Sequence, residues 1–454
     1  MENLKGVVLL FFCVTFFLAV SCNKEEKTQV LTPDEYLITF LKPSWTLNEG
    51  ETLEMNVVYR STGRAYDKEK NELGVQWKSG NEGIATINKK GEVYGRSSGV
   101  VEISGVTADG ENNISTQVVV FNSVLTDKLN KPLSAEIIYS QGVQLERNSV
   151  IQSIDVDSKG AIFYNQVGGN LAHKIFVLKG EANQPFESLM ELWYHGHGTN
   201  FAVEEDGDDR YIWINSIGHK KSDGQYGSNV AFSRVKYEPN KVIKSYQEGE
   251  VYYLPGKTNI HPAIDQENDI LAVTTSGGED PLRYFYVYRL SEVKALEETL
   301  EELPKITFGG EEGDKEQSIV YKIMVKNLEH LSPLASFTVK PNENKSKLNS
   351  YDFQGFDVSG GRLYFHEGEA NGNDPSKGPS NAFVTVFDYM TGKEISQRTR
   401  VKAIADIDLL SSLGLTSTGY MEAEGIKMKN ETLYLGYASR SIDNIRRANI
   451  LKYK

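Results

Sequence analysis

The stretch QSIDVDSKGAIFYNQ at residues 152–166 recurs in form four more times along the chain. The later copies are TNFAVEEDGDDRYIWINS at 199–216, HPAIDQENDILAVTT at 261–275, QGFDVSGGRLYFHEG at 354–368 and EGIKMKNETLYLGYAS at 424–439. Each opens on a polar residue, runs as a short strand, turns at Gly, Asn or Asp, and returns as an aromatic-rich strand. A third strand of matching type follows each hairpin: Lys174–Leu178, Val230–Val235, Phe285–Tyr288, Phe383–Phe387 and Ala448–Tyr453. Fourth strands follow less regularly, around Leu189–Tyr194, Val251–Leu254 and Ser336–Val339.

Four antiparallel strands repeated around an axis describe a β-propeller, so residues 123–454 are predicted to form one with five blades. The chain stops after the third strand of the last repeat. The strand Ala135–Tyr139 precedes the first repeat and is left over. Pairing the two would hide a sheet edge and lock the ends of the ring together. The interval before Gln354 is the longest, and an insertion at about 290–349 accounts for it. Its Ser291–Glu302 part, rich in Glu, Leu and Ala, reads as helix, and Lys340–Asn349 as loop.

Upstream, residues 33–122 alternate apolar and polar residues in short runs, such as Leu53–Val57 and Val100–Ser104. The segments VQWKSGNEGIATI at 75–87, KGEVYG at 90–95 and GVVEI at 99–103 resemble the group 2 bacterial Ig-like domain. That resemblance implies a β-sandwich with Trp77, Ile84 and Ile87 in its core, serving as a spacer. The fold class expected is therefore all-β: an N-terminal Ig-like β-sandwich followed by a five-bladed β-propeller.

The first residues set the compartment. Lys5 precedes an apolar run from Val7 to Val20, too short to span a bilayer comfortably, which takes about 20 apolar residues. Its end, Leu18-Ala19-Val20-Ser21-Cys22, resembles the lipobox of bacterial lipoproteins. Residues 1–21 would then be a signal peptide, Cys22 the lipidated residue and 22–32 a linker. Asn23-Lys24-Glu25-Glu26 resembles the export signal of Bacteroides-type surface lipoproteins. An outer-membrane or cell-surface location follows, with membrane contact only through the lipid. Cys13 and Cys22 are the two cysteines of the chain, so the exported part holds no disulfide and no cysteine-ligated metal. The formal charge of −13, with no Lys/Arg block, argues against nucleic acid.

In a propeller the first strand of each blade lines the axis, and the loops entering those strands form a face where ligands sit. The alignment gathers Gln152, Thr199, His261, Gln354 and Glu424 there, with His195-Gly196-His197-Gly198 just upstream of Thr199. The glycines would let backbone approach a ligand closely. Amide, imidazole, hydroxyl and carboxylate groups together both donate and accept hydrogen bonds, which suits a polyhydroxylated ligand. The plainer reading is that they bond one another and channel water. Phe163, Tyr164, Trp213, Tyr364, Phe365 and Tyr434 read as blade-packing core.

The "GHG" before a strand, the "QGF" with its following "LYF", and the "EGI" with its following "LYLGYAS" look like the propeller family of teichoic-acid biosynthesis protein C, helveticin J and staphylococcal phage receptor-binding proteins. The phage members bind wall teichoic acid, so the resemblance implies a five-bladed ring that recognises a glycan. It carries over at Gln152, His197, Gln354 and Glu424, and more loosely at His261. A Gram-negative lipoprotein has no wall teichoic acid of its own, so that ligand is not implied.

The expected partner is a glycan, another cell-envelope polymer or a protein. No motif calls for a cofactor or a metal. His195-x-His197 has a spacing that zinc can use, but a third ligand would have to come from elsewhere, such as His261 or Glu424. Asp206–Asp209 lacks the frame of a calcium loop and reads as a hairpin turn. No catalytic residue is assigned. The alternative is a glycan-processing hydrolase or lyase pairing His197 or His261 with Glu424, although glycoside hydrolysis generally needs two carboxylates.

Overall fold

The computed structural model describes residues 36–40, 44–55, 57–61, 74–108, 110–131, 137–140, 145–168, 174–220, 226–244, 248–277, 280–308, 317–320, 322–339, 352–369, 380–405, 407–412, 421–440 and 445–453. The expected signal peptide, Cys22, the linker and the Lys340–Asn349 loop lie outside these residues. The all-β expectation holds: the described chain is nearly all strand. Its short helices are Ser123–Leu129, Leu290–Ala295 and Ile407–Ser412, and no described helix is long and apolar enough to cross a membrane.

The five repeats each build one antiparallel sheet. The first holds Ile151–Val156, Ile162–Val167, Lys174–Gly180 and Phe186–Trp193, and the second Phe201–Asp206, Asp209–Lys220, Tyr226–Lys236 and Glu250–Tyr253. The third holds His261–Asp265, Ile270–Gly277, Asp280–Arg289 and Ala335–Val339, and the fourth Asp352–Ser359, Arg362–Glu369, Asn381–Asp388 and Glu394–Arg400. The fifth runs Met421–Lys429, Thr432–Arg440 and Arg446–Tyr453, and its fourth strand comes from just before the first repeat. Ile137–Ser140 pairs antiparallel with it, Ile137 opposite Tyr453 and Ser140 opposite Ile450.

Hairpin chemistry fixes the register. Gly360 and Gly361 have φ of 57° and 86°, and Asn430 and Glu431 have 47° and 59°; a two-residue turn with both residues at positive φ matches the twist of the strands it joins. The Asp206–Asp209 segment is also a two-residue hairpin, with Asp206 opposite Asp209 and Gly207 at φ of 59°.

The innermost strands touch in cyclic order, first to second and so on to the fifth, which touches the first again. Between each neighbouring pair of sheets lies one apolar cluster. Phe163, Ile175 and Ile212 fill the first gap, and Trp213, Tyr252 and Leu271 the second. Phe285, Phe356 and Leu363 fill the third, Val384, Leu435 and Leu451 the fourth, and Ile154, Tyr164 and Ile450 the last. Burying side chains of this size contributes about 1.5–3 kcal/mol each, so the cores between sheets dominate the ring's stability. Phe163, Tyr164, Trp213, Tyr364 and Phe365 are core, as expected, while Tyr434 is partly buried.

One expected helix is half wrong. Leu290–Ala295 is helical, but Glu298–Glu302 is a strand that pairs with Lys322–Asn327 and extends the second sheet outward. Its Glu-Thr-Leu-Glu-Glu sequence carries helix-forming residues. Its period is nonetheless two, and a paired edge is what an alternating segment satisfies.

The N-terminal segment packs a four-stranded sheet (Ser44–Asn48, Asn113–Phe121, Gly99–Thr107, Val75–Ser79) with a three-stranded one (Thr52–Glu54, Glu92–Gly95, Ala85–Ile87). Its centre is Trp45, Leu47, Val93, Ile103, Val118 and Val120. Trp77, Ile84 and Ile87, expected in the core, are only partly buried and pack against it. Trp77 sits over Gly91, where a β-carbon would lie 3.1 Å from its indole nitrogen.

Asn122 then caps the helix Ser123–Leu129, accepting from Leu125 N at 3.0 Å. Leu125 and Leu129 join the cluster between the fourth and fifth sheets. Asn122 N donates to Ile395 O at 2.7 Å, and Val100 N to Asp388 Oδ2 at 3.2 Å. The N-terminal segment is thereby fastened to the ring.

Candidate binding site at the strand entries

The entry end of the ring is where the innermost strands begin. Three of them carry a β-bulge at the same place. Register slips between Ile151 and Ser153, between Phe353 and Gly355, and between Ala423 and Ile426. The extra residues are Gln152, Gln354 and the Glu424-Gly425 pair, so three of the expected site residues occupy equivalent bulges. A bulge re-aims side chains locally and twists the strand. Thr199 lies just before the second inner strand, partly buried, and His261 opens the third.

The backbones next to these residues meet on the axis. A β-carbon on Gly355 would lie 3.1 Å from Asn200 Oδ1 and 3.4 Å from Gly425 Cα; one on Gly425 would lie 2.9 Å from Ser153 Cα. Gly355 and Gly425 have φ of 130° and 101°, so glycine suits both the backbone angle and the space. Asn200 ties the arrangement together: its Oδ1 accepts from Phe356 N at 2.9 Å, and its Nδ2 donates to Pro262 O at 2.7 Å. Residues beside Gln152, Thr199, His261, Gln354 and Glu424 thus converge although the chain separates them widely.

Burial decides what each group can do. Glu424 is 4% exposed, and burial pushes its carboxyl well above the usual range; Glu422 nearby pushes the same way, and Arg446 opposes. A carboxyl kept protonated can donate as well as accept. Gln152 is buried, and Gln354 is partly buried with its Nε2 donating to Gly368 O at 3.4 Å. His261 packs at a tilt of 52° against Phe353, ring centroids 5.6 Å apart.

The GHG segment differs from its expectation. His195 is 2% exposed: its Nδ1–H donates to Trp193 O at 2.8 Å, and burial lowers its pKa to about 4. It pairs as a lone bridge with Ser216 rather than lying with His197 along one strand face. His197 is partly buried. The glycines approach the protein's own amides: a β-carbon on Gly196 would lie 2.4 Å from Asn215 Nδ2, and one on Gly198 2.3 Å from Asn165 Nδ2. Asn165 Nδ2 in turn donates to Gly198 O at 2.8 Å, and Gly198 N donates to Asn215 Oδ1 at 3.1 Å. These amides set the course of the chain into the second inner strand.

Three side chains further along the same strands were passed over in the sequence. Lys427 Nζ lies 3.0 Å from Asp357 Oδ1 and 3.3 Å from Asp155 Oδ2, all three nearly fully buried. Asp155 also accepts from Val203 N at 2.6 Å, and Asp357 from Met428 N at 2.8 Å. The triad joins the first, second, fourth and fifth sheets. Its signal was present in the repeat: QSIDV, QGFDV and EGIKM hold Asp, Asp and Lys in one column. Burial raises the Asp357 pKa to about 6, with Lys427 pulling it down and Asp155 pushing it up. His366 was also missed. It is fully buried, its Nδ1 bonds Gly425 O at 3.1 Å, and burial lowers its pKa to about 4.

No protein-family model and no curated protein matches the chain. Solved structures do resemble it. A Staphylococcus aureus phage tail fibre aligns at 17% identity and a TM-score of 0.47, covering 71% of this chain and 54% of that one. The chain therefore spans about half of that fibre. A thermostable family-43 glycoside hydrolase aligns at 10% identity and a TM-score of 0.32, covering 71% of this chain and 90% of the other. A putative glycosidase from Bacteroides thetaiotaomicron aligns at 11% and 0.32, covering 72% and 94%.

Proposed function

We propose that this chain is a surface-displayed lipoprotein anchored through Cys22. In this reading the N-terminal segment is an Ig-like domain, the five sheets are the blades of a β-propeller, and the entry end binds a glycan or another cell-envelope ligand. The observation that carries the reading is the convergence of the five strand entries around Asn200, with Gln152, Gln354 and Glu424 on equivalent bulges. Those residues, with His197, Thr199 and His261, supply donors and acceptors to hydroxyl groups; His195 supports the chain from inside. The N-terminal segment is fastened near Asp388 and Ile395, at the opposite end of the ring, so an anchor beyond Tyr36 leaves the entry face clear.

A glycan array probed with intact protein and with a His197→Ala, Gln354→Ala double variant tests this. The expected result is a defined set of bound glycans lost in the variant. Equal binding by both proteins, or none by either, removes the site. Glu424→Gln separates binding from the glycan-processing alternative: a binder keeps much of its affinity, whereas a hydrolase or lyase loses turnover.

A further inference from the structure

At the exit end of the ring, a cleft of about 560 Å³ opens between the N-terminal segment, the helix Ser123–Leu129 and the turns that end the third, fourth and fifth inner strands. That volume falls within the range of about 300–1,000 Å³ typical of small-molecule sites. Its charged lining balances: Arg96, Lys128 and Arg362 against Glu49, Glu267 and Glu431. Asn268, Asn430, Ser97 and Ser359 add neutral groups that donate and accept. Its apolar surface comes from Met428, partly buried, and Val124, 52% exposed on the helix although apolar, while Leu433 lies beneath.

Equal numbers of opposite charges leave little net field for an anion or a cation, and the polar walls disfavour an acyl chain. Interleaved donors and acceptors beside the apolar surface of Val124 and Met428 match the hydroxyl-bearing edges and the C–H faces of a sugar. We infer that this cleft is a second, separate site that takes a short neutral oligosaccharide. The inference stands whether or not the entry end binds a glycan, because no residue is shared between the two places. It also gives the N-terminal segment a role beyond spacing, since Glu49, Arg96 and Ser97 form one wall.

The test is titration calorimetry of the full chain in detergent with neutral malto-, xylo- and chito-oligosaccharides up to about 10 mM. Three variants accompany it: Val124→Trp, which fills the cleft from an exposed helix position, Arg96→Ala, and Gln354→Ala at the entry end. At least one oligosaccharide should bind, with Kd raised about tenfold or more by Val124→Trp and about threefold by Arg96→Ala, and unchanged by Gln354→Ala. Should Val124→Trp fail to fold, Arg96→Ala decides. Absence of binding overturns the inference, as does binding indifferent to both cleft variants. Binding lost only in Gln354→Ala overturns it too while supporting the entry site, so the two readings fail separately.

Discussion

Along the ring's axis, residues three positions apart on the same strands are treated in opposite ways. In the interior Lys427 pairs with both Asp155 and Asp357, and the two carboxylates also accept from neighbouring backbone. Gln152, Gln354 and Glu424 at the entry are also largely buried, yet the Glu424 carboxyl has a like charge, Glu422, as its nearest strong influence after burial itself. Buried charge is tolerated when it is paired and hydrogen-bonded, and is costly otherwise. The interior set reads as a clasp that holds four sheets together. At the entry, burial and Glu422 outweigh Arg446 and hold the Glu424 carboxyl well above the usual range.

The largest effect should come from breaking the clasp. Lys427→Met strands two buried carboxylates, a loss expected to cost about 3–5 kcal/mol. Chemical denaturation should show the midpoint falling sharply, and adding Asp155→Asn with Asp357→Asn should restore most of it. If Lys427→Met alone is neutral, the triad is not a clasp.

Acid should loosen the ring through histidines rather than through the clasp. His195 and His366 are held near 4 against an ordinary value of 6.5. The unfolded chain therefore binds more protons between those values. Their contribution is complete above pH 6.5 and is lost as pH falls toward 4, up to about 3 kcal/mol for each. Melting temperature measured from pH 7 to 4.5 should drop, and His366→Gln should flatten the drop. An unchanged profile in that variant would show that its burial does not govern acid stability.

Asn200→Ala is expected to cost about 2–3 kcal/mol, because it strands the buried Phe356 N–H and Pro262 carbonyl on two other sheets. Asn200→Asp, which keeps the acceptor, should cost less. Equal losses in the two variants would locate the effect elsewhere.

Asn200 also marks the limit of what the sequence could convey. The repeat was legible because inner strands buried on both faces, hairpin turns at Gly or Asn and aromatic second strands leave a pattern that survives uneven spacing. The leftover strand before Gln152 announced the pairing of Ile137–Ser140 with Arg446–Tyr453 for the same reason. The bulges were not legible, since an extra residue has no periodicity of its own. Nor was the use of Asn165, Asn215 and Asn200 to bond backbone distant in sequence, because an amide's partner depends on packing that only the closed ring creates. The GHG glycines show the ambiguity best: a close approach was readable, but whether to a ligand or to the protein's own asparagines was not. Glu298–Glu302 failed differently, its helical composition outweighing its two-residue alternation.

The smallest effect belongs to Glu424→Gln, and it sharpens the comparison most. Because the folded carboxyl titrates well above its unfolded value, the native state binds the proton more tightly, and stability from this group falls as pH rises from the unfolded value through the folded one. Gln mimics the protonated acid and does not titrate. The variant should match the parent at pH 4 and exceed it at pH 8 by roughly 2–4 °C in Tm. Burial shifts the Asp155 carboxyl upward too, so its pH slope has the same sign; the difference lies in Lys427, whose partner Asp155→Asn removes, and that substitution should lower Tm at pH 8. The two substitutions are chemically alike and lie on neighbouring inner strands, so opposite signs at one pH would separate a group kept for structure from one kept despite its structural cost. The same sign in both would mean that the entry carboxyl is satisfied like the interior ones, leaving the entry face no surplus to offer a ligand.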